Sequence, residues 1–243
     1  MLTSLRRGLL AGAVGGLLAG LFGFLLAEPV MDRAVRLESA RRRAMGDHSV
    51  DIFSRHTQHL GFLGATFFVG LAIGILYAVV HRLVRIEGDD PWAAAVRLGA
   101  GGFFALSLVP FLRYPSNPPG VGDPGTIDTR SHLWTVTLVI GLVGAAVAGL
   151  AARQLKARGT RSSLRQLVVV AVLVGTVAIT FVLPDNTDPI AVPVGLIWEF
   201  RLLSLATLAL LWGGLSATYG LLSERALLSE RALLGKRAAP RVS

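Results

Sequence analysis

The chain contains no cysteine. That absence excludes a disulfide framework, a thiolate metal site and a cysteine nucleophile. Any metal handled here must meet nitrogen or oxygen ligands, which suit Co, Ni, Zn or Mg better than Cu(I). Charge is also scarce: 16% of the 243 residues are Asp, Glu, Lys or Arg, against 53% hydrophobic. The patterns G-x-x-x-x-G-K-[ST], H-E-x-x-H and G-x-S-x-G are all missing. ATP binding of the P-loop kind is thereby excluded, along with two common hydrolase signatures. The expectation is a protein that is not an enzyme and holds no tightly bound cofactor. If ATP drives its work, a partner must supply it.

What is present comes in blocks. Mean hydropathy is +0.61, and apolar residues gather at 8–27, 60–80, 92–112, 133–152, 167–183 and 202–222, with the last helix starting near 196. Crossing the hydrocarbon takes roughly 20 apolar residues. Inside lipid every backbone polar group must be paired within the segment, so these runs predict helices. The expected fold is an all-α integral membrane protein: a bundle of about six transmembrane helices in residues 1–222, then a basic cytoplasmic tail, 223–243. The fifth run has 17 residues, and a five-helix count is the alternative. The first run is longer than a signal-peptide core of roughly 7–15 residues and lacks an A-x-A end. It reads as a retained anchor.

Basic residues set the orientation. Arg153, Lys156, Arg158, Arg161 and Arg165 follow the fourth run; Arg225, Arg231, Lys236, Arg237 and Arg241 follow the sixth. The stretch after the fifth, PDNTDPIAVPVG, has no Lys or Arg. Both termini are therefore expected in the cytoplasm. One segment runs against this, because 28–59 is rich in arginine yet falls outside. Most of the net charge of +9 follows from this flanking bias, and nucleic-acid binding is not expected. The tail repeat LLSERA, LLSERA, LLGKRA has period six. Its leucines advance about 240° per repeat and make no coiled-coil seam. It reads as a duplication that lengthens the sixth helix.

Gly8, Gly12, Gly16 and Gly20 recur every four residues, which places them on one helix face. Such a ridge lets another backbone approach closely. Gly70 and Gly74 are a natural internal partner; a separate subunit is the other candidate. Trp92, Trp134 and Trp198 at helix starts fit an aromatic belt, and Glu199 and Arg201 fall at the same level.

Between the third and fourth runs lies RYPSNPPGVGDPGTIDTR, residues 113–130. Proline fixes φ and glycine permits tight reversals, so the loop is shaped by its own backbone. A shaped polar lid of this length suggests a site rather than a spacer. On the same outer side, His56 and His59 are three apart and share a helix face. Imidazole suits Co²⁺ and similar ions. Asp123, Asp185 and Asp188 can add carboxylate oxygen from the neighbouring loops.

Residues 111–123, FLRYPSNPPGVGD, with Pro124, Thr126 and Ile127 after them, resemble the signature of the CbtA family, the predicted cobalt transporter subunit. The matched positions include Tyr114, Pro115, Asn117, Pro118, Pro119, Gly122, Asp123 and Pro124. Ser54-Arg55…Gln58, and Leu196 to Arg201 with Trp198, resemble the same family. The resemblance does not extend to His56 and His59, and Asp128 and Arg130 are not matched. It implies a multi-pass protein of the bacterial inner membrane that supplies Co²⁺ for cobalamin synthesis. It also implies a small single-helix partner, CbtB, bearing a histidine-rich segment. Homo-oligomerisation stays open. The competing class is a non-transporting membrane scaffold or sensor whose outer loops bind a ligand or protein.

Overall fold

The computed structural model describes residues 1–46, 53–85, 90–186, 188, 190 and 192–238, leaving aside the side chains of Pro124, Arg231 and residues 233–238. Of the tail's basic residues, the side chains of Arg231, Lys236 and Arg237, and all of Arg241, thus lie outside the described residues. Every regular element among the described residues is helical. Six helices are long and apolar enough to cross a membrane: α1 (Leu2–Ala44), α2 (Arg55–Val84), α3 (Pro91–Arg113), α4 (Ile127–Ala157), α5 (Ser162–Thr180) and α6 (Val194–Ala238). The shortest, α5, has 19 residues. At 1.5 Å per residue that is about 29 Å, enough for a hydrocarbon core of roughly 30 Å. Six is the count.

Helix α1 does not stop where the sequence suggests. Glu28-Pro29 looks like an end, yet the helix continues to Ala44. Residues Gly23–Ala27 widen into a π-helical turn, in which the Glu28 N–H donates to the Gly23 carbonyl. The same device recurs in α3, where Phe104–Leu108 widen and the Val109 N–H donates to the Phe104 carbonyl. In both places the next residue is proline, Pro29 or Pro110. A proline inside a helix has no N–H to donate and its ring crowds the carbonyl four residues back. One wider turn relieves that crowding and lets the helix run on. Much of the arginine-rich segment after Ala27 is therefore helix rather than loop.

The chain forms two compact units. The first comprises Met1–Leu21, Gln58–Ala100 and Ala209–Ser243. Here the glycine ridge lies directly on α2. A methyl group on Gly8 would run into the Gly74 carbonyl oxygen, and one on Gly12 into that of Gly70. On Gly16 it would lie 2.6 Å from the Thr66 carbonyl oxygen. A second face of α1 meets α6, where a methyl on Gly15 would fall 2.6 Å from the Leu211 carbonyl oxygen. Lipid supplies no hydrophobic drive between helices, so close backbone packing of this kind supplies the attraction.

The second unit comprises Phe22–Thr57 and Gly101–Leu208. Helices α4 and α5 pack through Gly144 and Thr176, and Gly141 admits the Ala105 backbone. Thr137, Thr176 and Thr180 turn their hydroxyls back to carbonyls on their own helices at 2.7–2.8 Å, which leaves these donors satisfied away from water. Val30 and Ala34 of α1 join Val192, Leu196, Ile197 and Phe200 in a buried apolar cluster, with Val121 of the 113–130 loop packed against it. The extension of α1 past Pro29 thus supports both polar connections.

Candidate functional site

The 113–130 loop is tied down along its length. Gly120 and Gly122 have φ of +80° and +100°, a region that residues with a Cβ rarely adopt. Pro118 is fully buried. The Asp123 carboxylate accepts the Gly125 N–H at 2.8 Å, and its carbonyl accepts the Thr126 hydroxyl at 2.9 Å. These bonds turn the chain into a short 3₁₀ segment, Pro124–Thr126, that leads into α4. An aspartate accepting from its own backbone two residues on is what a tight turn asks of that side chain.

The loop is then clamped to the connection between α5 and α6. Arg113 donates to Asp185 at 2.6 Å and also to the Leu183 carbonyl. The Tyr114 hydroxyl donates to the Pro184 carbonyl at 2.6 Å. Arg130 lies 3.3 Å from Asp188 and donates to the Asp123 carbonyl at 3.2 Å. Thr126 donates to the same Asp188 carboxylate at 2.9 Å. Arg201, from the start of α6, donates to Asn117 at 2.7 Å and lies over the Trp198 ring at 5.8 Å. Charge-assisted bonds of this sort are the stronger ones, and here they join residues some 60 to 84 apart in sequence.

Beneath the clamps is a cavity of about 790 Å³. Its polar lining includes Arg113, Arg130 and Arg201, against Asp185 and Asp188. Arg113 has 8% of its side chain exposed and Asp188 has 6%, whereas Asp185 has 81%. The two aspartates are each held by a guanidinium, and Arg201 has an amide as its hydrogen-bond partner. The volume falls in the range of small-ligand sites.

A match to the family described as probable cobalt transporter subunit (CbtA) covers residues 2–224. The chain belongs to the CbtA family. No curated protein and no solved structure matches it. The CbtA match takes in the membrane-crossing length of all six helices and both clamped connections. This is therefore a multi-pass membrane protein of a cobalt-transporter family, and the word "subunit" in the description implies assembly with another chain.

The candidate residues of this CbtA-family chain separate into groups. Tyr114, Pro115, Asn117, Asp185, Asp188 and Arg201 line the cavity, while Asp123 is exposed. Pro119 is half-buried, and the Pro124 side chain lies outside the described residues. His56 and His59 sit in the first turns of α2, exposed and half-buried respectively, with Gln58 between them. Neither histidine lines the cavity. Arg55 bridges two acids, donating to Glu28 and Asp32 at 2.8 Å each. Glu28 is itself 8% exposed. Sequence reasoning missed this trio as a unit. The available signal was a pair of carboxylates four apart just after an apolar run, a spacing that puts both on one helix face. Arg113 and Arg130, which hold the aspartates, were missed as well.

Proposed function

We propose that this chain is the membrane subunit of a Co²⁺ transporter and that the clamped cavity is the ion's outer receiving site. The observation that carries the reading is the Arg113–Asp185 and Arg130–Asp188 pairing over one cavity in a chain of this family. Each carboxylate is held by a cation that an arriving metal can displace. Asp185, largely exposed, is the first oxygen an ion meets, and Asp188 is the second. A transport site must hold its ion weakly enough to release it, and competition from arginine provides that weakness. His56 and His59 stand outside this cavity and are proposed only as auxiliary nitrogen ligands, with Asp123 shaping the loop.

The rest of the proposal follows the family. The chain acts in a bacterial inner membrane as a transport subunit rather than an enzyme, supplies cobalamin synthesis, and works with a small CbtB-like partner. Both termini are cytoplasmic. Since no native cysteine is present, single cysteines report topology directly. A cysteine at Ser116 is expected to react with an impermeant maleimide in intact cells, whereas one at Ser162 is not; the reverse pattern inverts the model. For transport, radioactive cobalt uptake is measured in cells making this chain with its partner. Asp185→Ala with Asp188→Ala is expected to abolish uptake at normal protein level, and His56→Ala with His59→Ala to reduce it less. Normal uptake by the aspartate pair removes the site from this cavity.

A second reading rests on Arg201, which brings a third positive charge against two negative ones. A non-transporting sensor whose lid binds an anionic ligand would use it. Such a protein would bind without any cobalt accumulation.

A further inference from the structure

A second cavity, of about 340 Å³, lies within the first unit. It is lined by Ser4 and Arg7 of α1, His81 and Arg82 near the end of α2, Arg85 just beyond it, and Tyr219 and Ser223 of α6. Among these lining residues there is no carboxylate, and among the described residues Arg7, Arg82 and Arg85 have no acidic partner.

The walls are built. His81 is 4% exposed and Ser223 is 5% exposed. The His81 ring is set between two tyrosines, with centroids 4.8 Å from Tyr219 and 6.3 Å from Tyr77. Tyr77 is fixed in turn by its hydroxyl, which donates to the Ala95 carbonyl. Yet the His81 Nε2 and the Ser223 Oγ are buried with no hydrogen-bond partner among the described residues. Buried polar atoms are nearly always paired, because leaving one unpaired forfeits its hydration with no return. Two such atoms beside one cavity, with arginines around it, indicate a ligand.

Flanking bias accounts for some of the charge. Arg82 and Arg85 sit at the carbonyl end of α2, where a cation offsets the helix dipole. That does not explain the two unpaired atoms. A divalent metal does not fit, because the guanidinium groups repel a cation at this range and no carboxylate is among the described lining residues. What fits is an acceptor-rich anion. Ser4 and Arg7 lie in the first turns of α1, where free N–H groups and the dipole also favour negative charge.

We propose that this cavity binds a phosphate group, gripped by Arg7, Arg82 and Arg85 and completed by His81 and Ser223. Arginine forks match phosphate oxygens in pairs, and the imidazole N–H and hydroxyl supply the further donors. A phosphate at the ends of membrane helices comes from one of two sources, an anionic lipid headgroup or a soluble phosphate. The site is independent of whether the other cavity carries cobalt.

The test uses the purified full chain in phosphatidylcholine nanodiscs, with melting temperature and native mass spectrometry as readouts. One arm adds phosphatidylglycerol and the other adds inorganic phosphate. At least one probe is expected to raise the melting temperature saturably. Arg85→Gln and Ser223→Ala, each compared with the parent by size exclusion before binding is read, are expected to weaken that probe about tenfold or more, as loss of a charge-assisted bond does. Arg158→Gln, an exposed arginine outside the cavity, should bind as the parent does. Retained phosphatidylglycerol with no response to free phosphate identifies a headgroup site. A response to free phosphate alone identifies a soluble ligand. If neither probe protects the parent, or if both cavity variants bind like the parent, the proposal is overturned.

Discussion

The two cavities are lined by the same residue type and use it in opposite ways. In the lid cavity, Arg113 and Arg130 have carboxylate partners at 2.6 and 3.3 Å. In the other, Arg7, Arg82 and Arg85 line the wall with no acid beside them among the described residues. A guanidinium with a carboxylate is a structural clamp that a competing cation can open. A group of guanidiniums without one is a socket for an anion. Arginine content alone distinguishes nothing; the placement of aspartate does.

The same contrast applies to packing, and the largest effect is expected there. In the first unit the helices touch backbone to backbone, so Gly12→Leu with Gly16→Leu should abolish accumulation of folded protein, because the new side chains meet the Gly70 and Thr66 carbonyls. Gly149→Leu, where a Cβ would meet nothing within 4 Å, should accumulate normally. Fluorescence-detected size exclusion separates the two. Equal behaviour would mean that the ridge is not a contact.

Next in size is Arg113→Ala. It removes a nearly buried guanidinium from both Asp185 and the Leu183 carbonyl, a loss expected to cost about 1.5–3 kcal/mol, read from thermal or denaturant unfolding in detergent. Arg130→Ala with Asp188→Ala tests the second clamp. A double-mutant cycle should give a coupling of about 0.5–3 kcal/mol, and zero coupling would reduce that pair to proximity. Smallest is Arg201→Gln, expected to cost less than Arg113→Ala because its bond to the Asn117 amide has one charged partner rather than two and glutamine keeps an N–H donor. If it costs as much as Arg113→Ala, the distinction between clamped and unclamped arginines fails.

Much of this molecule is legible without coordinates. Runs of apolar residues long enough to span lipid can only be helices, because hydrocarbon offers the backbone no other partner. Glycines every four residues define a face by helix geometry alone. The proline and glycine density of residues 113–130 announces a shaped connection, and positive φ at Gly120 and Gly122 agrees with it.

Other features depend on tertiary structure. Glu28-Pro29 reads as a helix end by every local rule, yet one π-helical turn carries α1 through to Ala44. Packing of Val30 and Ala34 in the apolar cluster rewards that continuation. In sequence Asp185 and Asp188 give no sign of the guanidiniums that hold them, because an aspartate's partner is invisible there. Arg113 lies 72 residues from Asp185, and only the fold brings that cation to that anion. His81 looks like one more residue at a basic helix end until Tyr77 and Tyr219 are found beside it and its Nε2 is found buried. Secondary structure in a membrane follows from each segment's own backbone, so the chain specifies it locally. Whether a charge is a clamp or a socket depends on the few ångströms around it, and those are set by residues far away in the chain.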